Sequence, residues 1–166
     1  TFWLSNTPDL PSRGRRGSRI VTWARFHHLD TGRQIYVFNT HFTLRRGRRQ
    51  VRSAAQINER IAALPAGSAV MVMGDFNAVA ESSETWTVAT GQGLRDAWVV
   101  AAERRGPPVT ANGFGPPPAD GEGRIDWILV GGPVRARTVS TVVHSVDGRY
   151  PSDHYPVVAT LLVDPG

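Results

Sequence analysis

Ser68-Ala69-Val70-Met71-Val72-Met73-Gly74-Asp75-Phe76-Asn77 decides how this chain folds, because an apolar run ends abruptly in a glycine, a carboxylate and a carboxamide. A short uncharged stretch rich in valine and methionine, closed by a turn signal, reads as a strand buried on both faces. Residues i and i+2 of an extended backbone face the same way, so Asp75 and Asn77 are expected to project together while Phe76 turns into the packed side. A carboxylate beside a carboxamide can hold a water, a metal or a phosphate oxygen. The plainer alternative is that the two polar residues only begin a turn.

Three more segments put polar groups on apolar strands. Ile35-Tyr36-Val37-Phe38-Asn39-Thr40-His41-Phe42 closes a β-rich run with polar residues, among them His41. Arg124-Ile125-Asp126-Trp127-Ile128-Leu129-Val130 carries one carboxylate in an otherwise apolar strand, and a buried charge is costly unless paired. A histidine would be the partner in a catalytic site, and Arg124 or Arg149 the partner in a structural pair. Ser152-Asp153-His154-Tyr155-Pro156 sets a carboxylate and an imidazole side by side at the entrance of the strand Val157 to Val163. The plain alternatives are a strand-end histidine at His41 and a turn before Pro156. His27, His28 and His144 lie in no motif and read as structural, and the tryptophans read as core or interface anchors.

In this order the four segments resemble the endonuclease/exonuclease/phosphatase superfamily, the group of deoxyribonuclease I and the abasic-site endonucleases. The matching motifs are Asn39-Thr40-His41-Phe42, Gly74-Asp75-Phe76-Asn77, Arg124-Ile125-Asp126-Trp127 and Ser152-Asp153-His154, and the resemblance spans nearly the whole chain. It implies an α/β fold, part of a four-layer α/β/β/α sandwich with mixed, largely antiparallel sheets, with residues 1–166 as a single partial domain. It further implies a divalent-metal-dependent phosphoric ester hydrolase, first of all a phosphodiesterase or nuclease. In such an enzyme Asp75 would orient or deprotonate the attacking water, and Asn77 would donate a hydrogen bond to the phosphorus centre as it becomes pentacoordinate. His154 would contact the scissile phosphate or move a proton, with Asp126 holding a histidine in the working tautomer. His41 would be a second phosphate-facing group. Asp153 would bind Mg²⁺ or Mn²⁺, hard cations suited to oxygen ligands.

The family normally opens with a half-domain that supplies an early Asn or Asp and a metal-binding glutamate. Thr1 to Ser5 reads as the end of a strand already under way, so the chain is expected to begin in the middle of that fold. Glu59, Glu81, Glu84, Glu103 and Glu122 read as helical or loop residues and do not match the glutamate. Asn6 and Thr43-Leu44 also depart from the usual pattern. The expectation is therefore weak hydrolysis or none by this chain alone. An apolar sheet face, made of alternate positions of Val70 to Met73, Ile125 to Val130 and Val157 to Val163, would then be covered by a second chain carrying the N-terminal half, or by self-association. The competing reading is a catalytically incomplete fragment that binds anions or nucleic acid, or packs against a partner.

Composition narrows the chemistry. The chain has 166 residues, a net charge of +5 and no cysteine, which excludes disulfides and thiolate metal sites without fixing a compartment. All 19 basic residues are arginine. Arg13, Arg15, Arg16 and Arg19 form one cluster, and Arg45, Arg46, Arg48, Arg49 and Arg52 another, each beside a candidate site strand. Guanidinium groups bind phosphate bidentately, so Arg45 and Arg46 are candidate substrate-binding residues for a phosphoester, nucleic acid included. The plain alternative is a solvated helix start and loop. No apolar run reaches membrane-spanning length.

Periodicity gives strands near 19–27, 34–42, 69–74, 124–130, 135–143 and 157–163. Val51, Ala54, Ile57, Ile61 and Leu64 form one helical stripe from Gly47 to Leu64, and shorter helices are expected near Ser82 to Thr90 and Asp96 to Glu103. Pro107-Pro108 and Pro116-Pro117-Pro118, with their neighbouring glycines, mark a long irregular loop of the kind that often carries function.

Overall fold

Unbroken apolar runs along residues 35–38 and 69–73 give two strands that can be covered on both faces, and these become the centre of the molecule. The computed structural model describes residues 1–10, 19–45, 47–121 and 123–165. Arg13, Arg15, Arg16, Arg46 and Glu122, named above, lie outside them. The elements run β1 (Phe2–Trp3), β2 (Ile20–His27), β3 (Gln34–His41), α1 (Arg48–Ala62), β4 (Ala69–Asp75), α2 (Glu84–Thr90), β5 (Arg95–Asp96), α3 (Ala97–Val100), β6 (Glu103–Arg105), β7 (Asp126–Gly131), β8 (Val134–Thr141) and β9 (Val157–Val163). Six strands form one sheet in the order β1-β2-β3-β4-β7-β5, and three form a second in the order β6-β8-β9. Both sheets are mixed: β3 with β4 and β6 with β8 pair parallel, the other neighbours antiparallel.

Each face of the central strands has its own core. Tyr36, Phe38, Val70, Val72, Trp127 and Leu129 pack with Ala54 and Ile57 of α1 and Ala89 of α2. Their alternates, Ile35, Ala69 and Val130, pack with Val134, Ala136 and Val139 of β8, with Ala159 and Leu161 of β9 against them. The result is a helical layer, the large sheet and the small sheet in succession. Phe76 is fully buried, as expected, and stacks on Trp127 with ring centroids 4.2 Å apart, a contact worth about 0.5–1.5 kcal/mol beyond its area. Asn58 ties α1 to α2 by donating from Nδ2 to Val88 O at 2.7 Å.

The structure departs from the periodic reading at short elements. The helix expected from Asp96 to Glu103 shrinks to Ala97–Val100, capped by Asp96 Oδ1 accepting from Trp98 N, and Glu103 begins a strand. That strand, like β1 and β5, is set by its neighbour's register and not by its own pattern. β7 starts at Asp126, so this carboxylate sits at a strand entrance, half-buried, and not within a doubly covered run.

Candidate active site

Pairing register alone brings three of the polar strand ends together. His41 is the partner of Asp75 across β3 and β4, and Asp75 is the partner of Asp126 across β4 and β7. The three residues form one row along the sheet edge, on the face turned toward the small sheet. His41 Nε2 lies 3.3 Å from Asp75 Oδ2. Two like charges directly opposite one another across strands are unfavourable. Such a pair calls for cationic groups beside it.

His154 supplies one of them. It precedes β9 of the small sheet, and its Nδ1 lies 2.8 Å from Asp126 Oδ2. The partner of Asp126 is thus a histidine. Arg124 instead pairs with Asp96, with Nη2 2.9 Å from Oδ2 and Nη1 3.3 Å from Oδ1, and with Glu81 at 2.9 Å. Burial pushes the Asp126 carboxyl above its ordinary range, and repulsion from Asp75 adds to this; the Thr110 hydroxyl and His154 pull the other way without prevailing. Burial by itself would lower the His154 imidazole. Attraction from Asp126, its hydrogen bond, and the charges of Asp75 and Asp153 outweigh that and raise it. The imidazole is therefore held toward its protonated form.

Thr110, fully buried, was not legible in the sequence. Its Oγ1 accepts from the backbone N–H of Ile125 at 3.0 Å and of Asp126 at 3.1 Å, while its carbonyl accepts from Tyr155 N at 2.7 Å. One residue of the long loop thus joins the Asp126 and His154 segments. The loop continues the zipper. Ala111 bridges to His154, and the N–H groups of Asn112 and Gly113 donate to Asp153 O at 2.7 and 3.1 Å. Tyr155 Oη donates to Gly115 O at 2.7 Å.

Asn77 corrects the expectation that it projects beside Asp75. The strand ends at Asp75, and Asn77 turns into the left-handed region with φ 49°. Its N–H donates to Asp75 Oδ1 at 2.8 Å, and its buried Nδ2 donates to Phe42 O at 3.0 Å. Gln50, only 2% exposed, was also missed. Its Nε2 donates to Asn77 O at 2.8 Å and to Thr43 O at 2.9 Å, tying the two site turns to α1. The signal existed, since Gln50, Ala54 and Ile57 share one helical face. Gly74, at φ 147°, permits the close approach of β3 and β4: a Cβ there would fall 1.9 Å from Thr40 O.

Two candidates stand apart. The exposed Asp153 carboxylate meets Ser152 Oγ at 3.4 Å and is not among the three groups that converge. Arg45 is exposed in the turn after β3, with Arg48, Arg49 and Arg52 exposed on α1. Among the described residues, Asp75, Asp126 and His154 each offer a ligand atom within 4.8 Å of the others. Two opposed carboxylates match the habit of Mg²⁺ and Mn²⁺, which take one or two protein carboxylates and fill the remaining positions with water and phosphate. This donor set fits such a cation.

Comparison with known proteins places this arrangement. The profile of the Endonuclease/Exonuclease/phosphatase family matches residues 2–154. The chain belongs to this family. No curated protein matches it significantly. Among solved structures, a mannosyl-6-phosphatase of Bacteroides thetaiotaomicron is 31% identical, with a TM-score of 0.84 over 97% of this chain and 64% of its own. A family member from Bacteroides vulgatus is 30% identical, with a TM-score of 0.86 over 98% of this chain and 64% of its own. The human Nocturnin catalytic domain, solved with bound sulfate, shares the fold at 19% identity, with a TM-score of 0.65 over 88% of this chain and 53% of its own. The chain therefore spans about 64% of the length of the two Bacteroides proteins.

Proposed function

We propose that this chain carries the reacting end of a divalent-metal-dependent phosphoesterase that works through an activated water. The observation that supports this most is the in-register row of His41, Asp75 and Asp126, continued by His154 at 2.8 Å from Asp126. Water attacks phosphorus as the bond from phosphorus to the leaving oxygen breaks. Asp75 takes the proton of the water, held in place by His41 and by the Asn77 N–H. His154, kept protonated by Asp126, gives a proton to the leaving oxygen. Asn77 Nδ2 spends one hydrogen on Phe42 O and keeps a second for a phosphate oxygen. Asp75 and Asp126 would hold a Mg²⁺ or Mn²⁺, which neutralises charge developing on the phosphoryl oxygens.

The exposed arginines Arg45, Arg48 and Arg49 favour a phosphodiester substrate, nucleic acid first. A second substrate reading, a sugar phosphomonoester, is favoured by the 31% identity to the Bacteroides mannosyl-6-phosphatase. Two carboxylates are few protein ligands for a hard cation, so turnover by this chain alone is expected to be weak. The test is hydrolysis of bis(p-nitrophenyl) phosphate, single-stranded DNA and mannose 6-phosphate, with Mg²⁺ or Mn²⁺ and protein in excess. Asp75→Ala should lower the rate at least about 10²-fold. A rate indifferent to both Asp75→Ala and His154→Ala ends the reading. Salt-dependent DNA binding without hydrolysis would favour the anion-binding module instead.

A further inference from the structure

We infer that Phe114 is a specificity-determining residue that stacks on the ring face of the substrate's leaving group. A single exposed apolar side chain ordinarily needs no explanation. Phe114 differs in how it is held. It is 61% exposed, yet its backbone sits at φ 63°, where glycine or asparagine is at ease and a bulky aromatic is an outlier. Glycines stand on both sides of it, at Gly113 and Gly115, so the turn has residues that take this shape without strain. The Phe114 N–H donates to Asn112 Oδ1 at 2.8 Å, which fixes the conformation.

The tip is also fastened to the site. The preceding residue donates to Asp153 O at 3.1 Å, and the following carbonyl accepts from Tyr155 Oη at 2.7 Å. Phe114 is thus anchored from both flanks to the residues on either side of His154, the group proposed above to protonate the leaving oxygen. An exposed aromatic ring at the tip of this loop is available to the leaving group that His154 would protonate. The chemistry it recognises is a ring with an apolar face, the underside of a pyranose or a nucleobase. The stem of a linear alcohol offers no such face.

This inference rests on the phosphoesterase reading, and its test separates the two. With the full chain and Mn²⁺, kcat/KM is measured for mannose 6-phosphate, adenosine 5′-monophosphate and glycerol phosphate. Phe114→Ala should lose about tenfold on whichever ring-bearing ester is used, stay within about twofold on glycerol phosphate, and be rescued by Phe114→Trp. The two ring substrates distinguish sugar from base. Equal loss on all three esters, or no loss on any, overturns the inference. If the wild-type chain hydrolyses none of the three monoesters, bis(p-nitrophenyl) phosphate still tests the phosphoesterase reading, and a fluorine label on the Phe114 ring decides the inference alone. Its resonance should shift with adenosine monophosphate or mannose 6-phosphate and not with glycerol phosphate; no selective shift refutes it.

Discussion

Strands β2 and β7 flank the parallel pair β3–β4 as its two antiparallel neighbours, yet they live in opposite environments. In β7, Trp127, Leu129 and Val130 are buried, because helices cover one face and the small sheet covers the other. In β2 only Val21 is buried, and Trp23 and Phe26 stand 43% and 54% exposed. The compositions are similar, so hydrophobicity does not decide which strand is buried. Layers do. The candidate site lies where the layers meet: Asp126 at the head of β7 has the packing that shifts its pKa and holds its partner, whereas β2 ends in His27, which lies exposed.

The largest test of this contrast removes the ion pair beside β7. Arg124 and Asp96 are both nearly fully buried, and Asp96→Ala would leave the buried guanidinium with only the exposed Glu81 carboxylate as partner. The expected loss is about 3–5 kcal/mol of unfolding free energy in urea denaturation. A loss under about 1 kcal/mol would mean that the covered side of the sheet is not the rigid one.

Next comes the site itself. In any form of the chain that shows the proposed hydrolysis, His154→Ala should lower kcat by about 10² with folding retained, and His144→Ala should change little. Equal effects would detach the β7 entrance from the chemistry.

A smaller effect is the pH dependence of the same pair. The raised His154 pKa means that its pairing with Asp126 stabilises the fold fully below the ordinary imidazole value of about 6.5 and is lost as pH rises through the higher folded value. The raised Asp126 pKa acts in the same direction, because the folded state holds that proton more tightly than the unfolded chain does. In metal-free protein, the melting temperature of wild type relative to His154→Gln should fall as pH rises past neutrality. A difference that is flat with pH would show that the pair adds no coupling.

The smallest effect on stability belongs to β2. Phe26→Ser should move the unfolding free energy by no more than about 0.5 kcal/mol. What it should change is association. We expect the bare faces of β2 to be covered by a second chain or by another copy, and the doubled variant Trp23→Ser, Phe26→Ser to shift light-scattering mass toward monomer. A wild-type chain that is monomeric, with a cooperative thermal transition, would remove the need for any cover.

The long elements were legible because burial leaves a period: β3, β4, β9 and α1 follow their apolar alternation or stripe. The contact of Asp126 with a histidine was legible too, since a carboxylate on an apolar strand demands a partner. The direction of Asn77 was not. It depends on a positive φ just past the strand end, which reverses the i, i+2 rule. Thr110 was invisible because its importance lies in accepting two backbone N–H groups from a segment fifteen and sixteen residues away, and nothing in a proline- and glycine-rich loop marks that. Short strands such as β6 take their shape from neighbours and carry no period of their own.

Gly74 carries a consequence for how the site ages and adapts. Because the main chain of Thr40 occupies the space a side chain at 74 would need, the spacing of His41 and Asp75 is fixed by backbone meeting backbone. Repacking the core around these strands can alter stability without altering that gauge. A mutational library aimed at new substrates therefore has free play in the loops around the row, and none in the distance between its first two members.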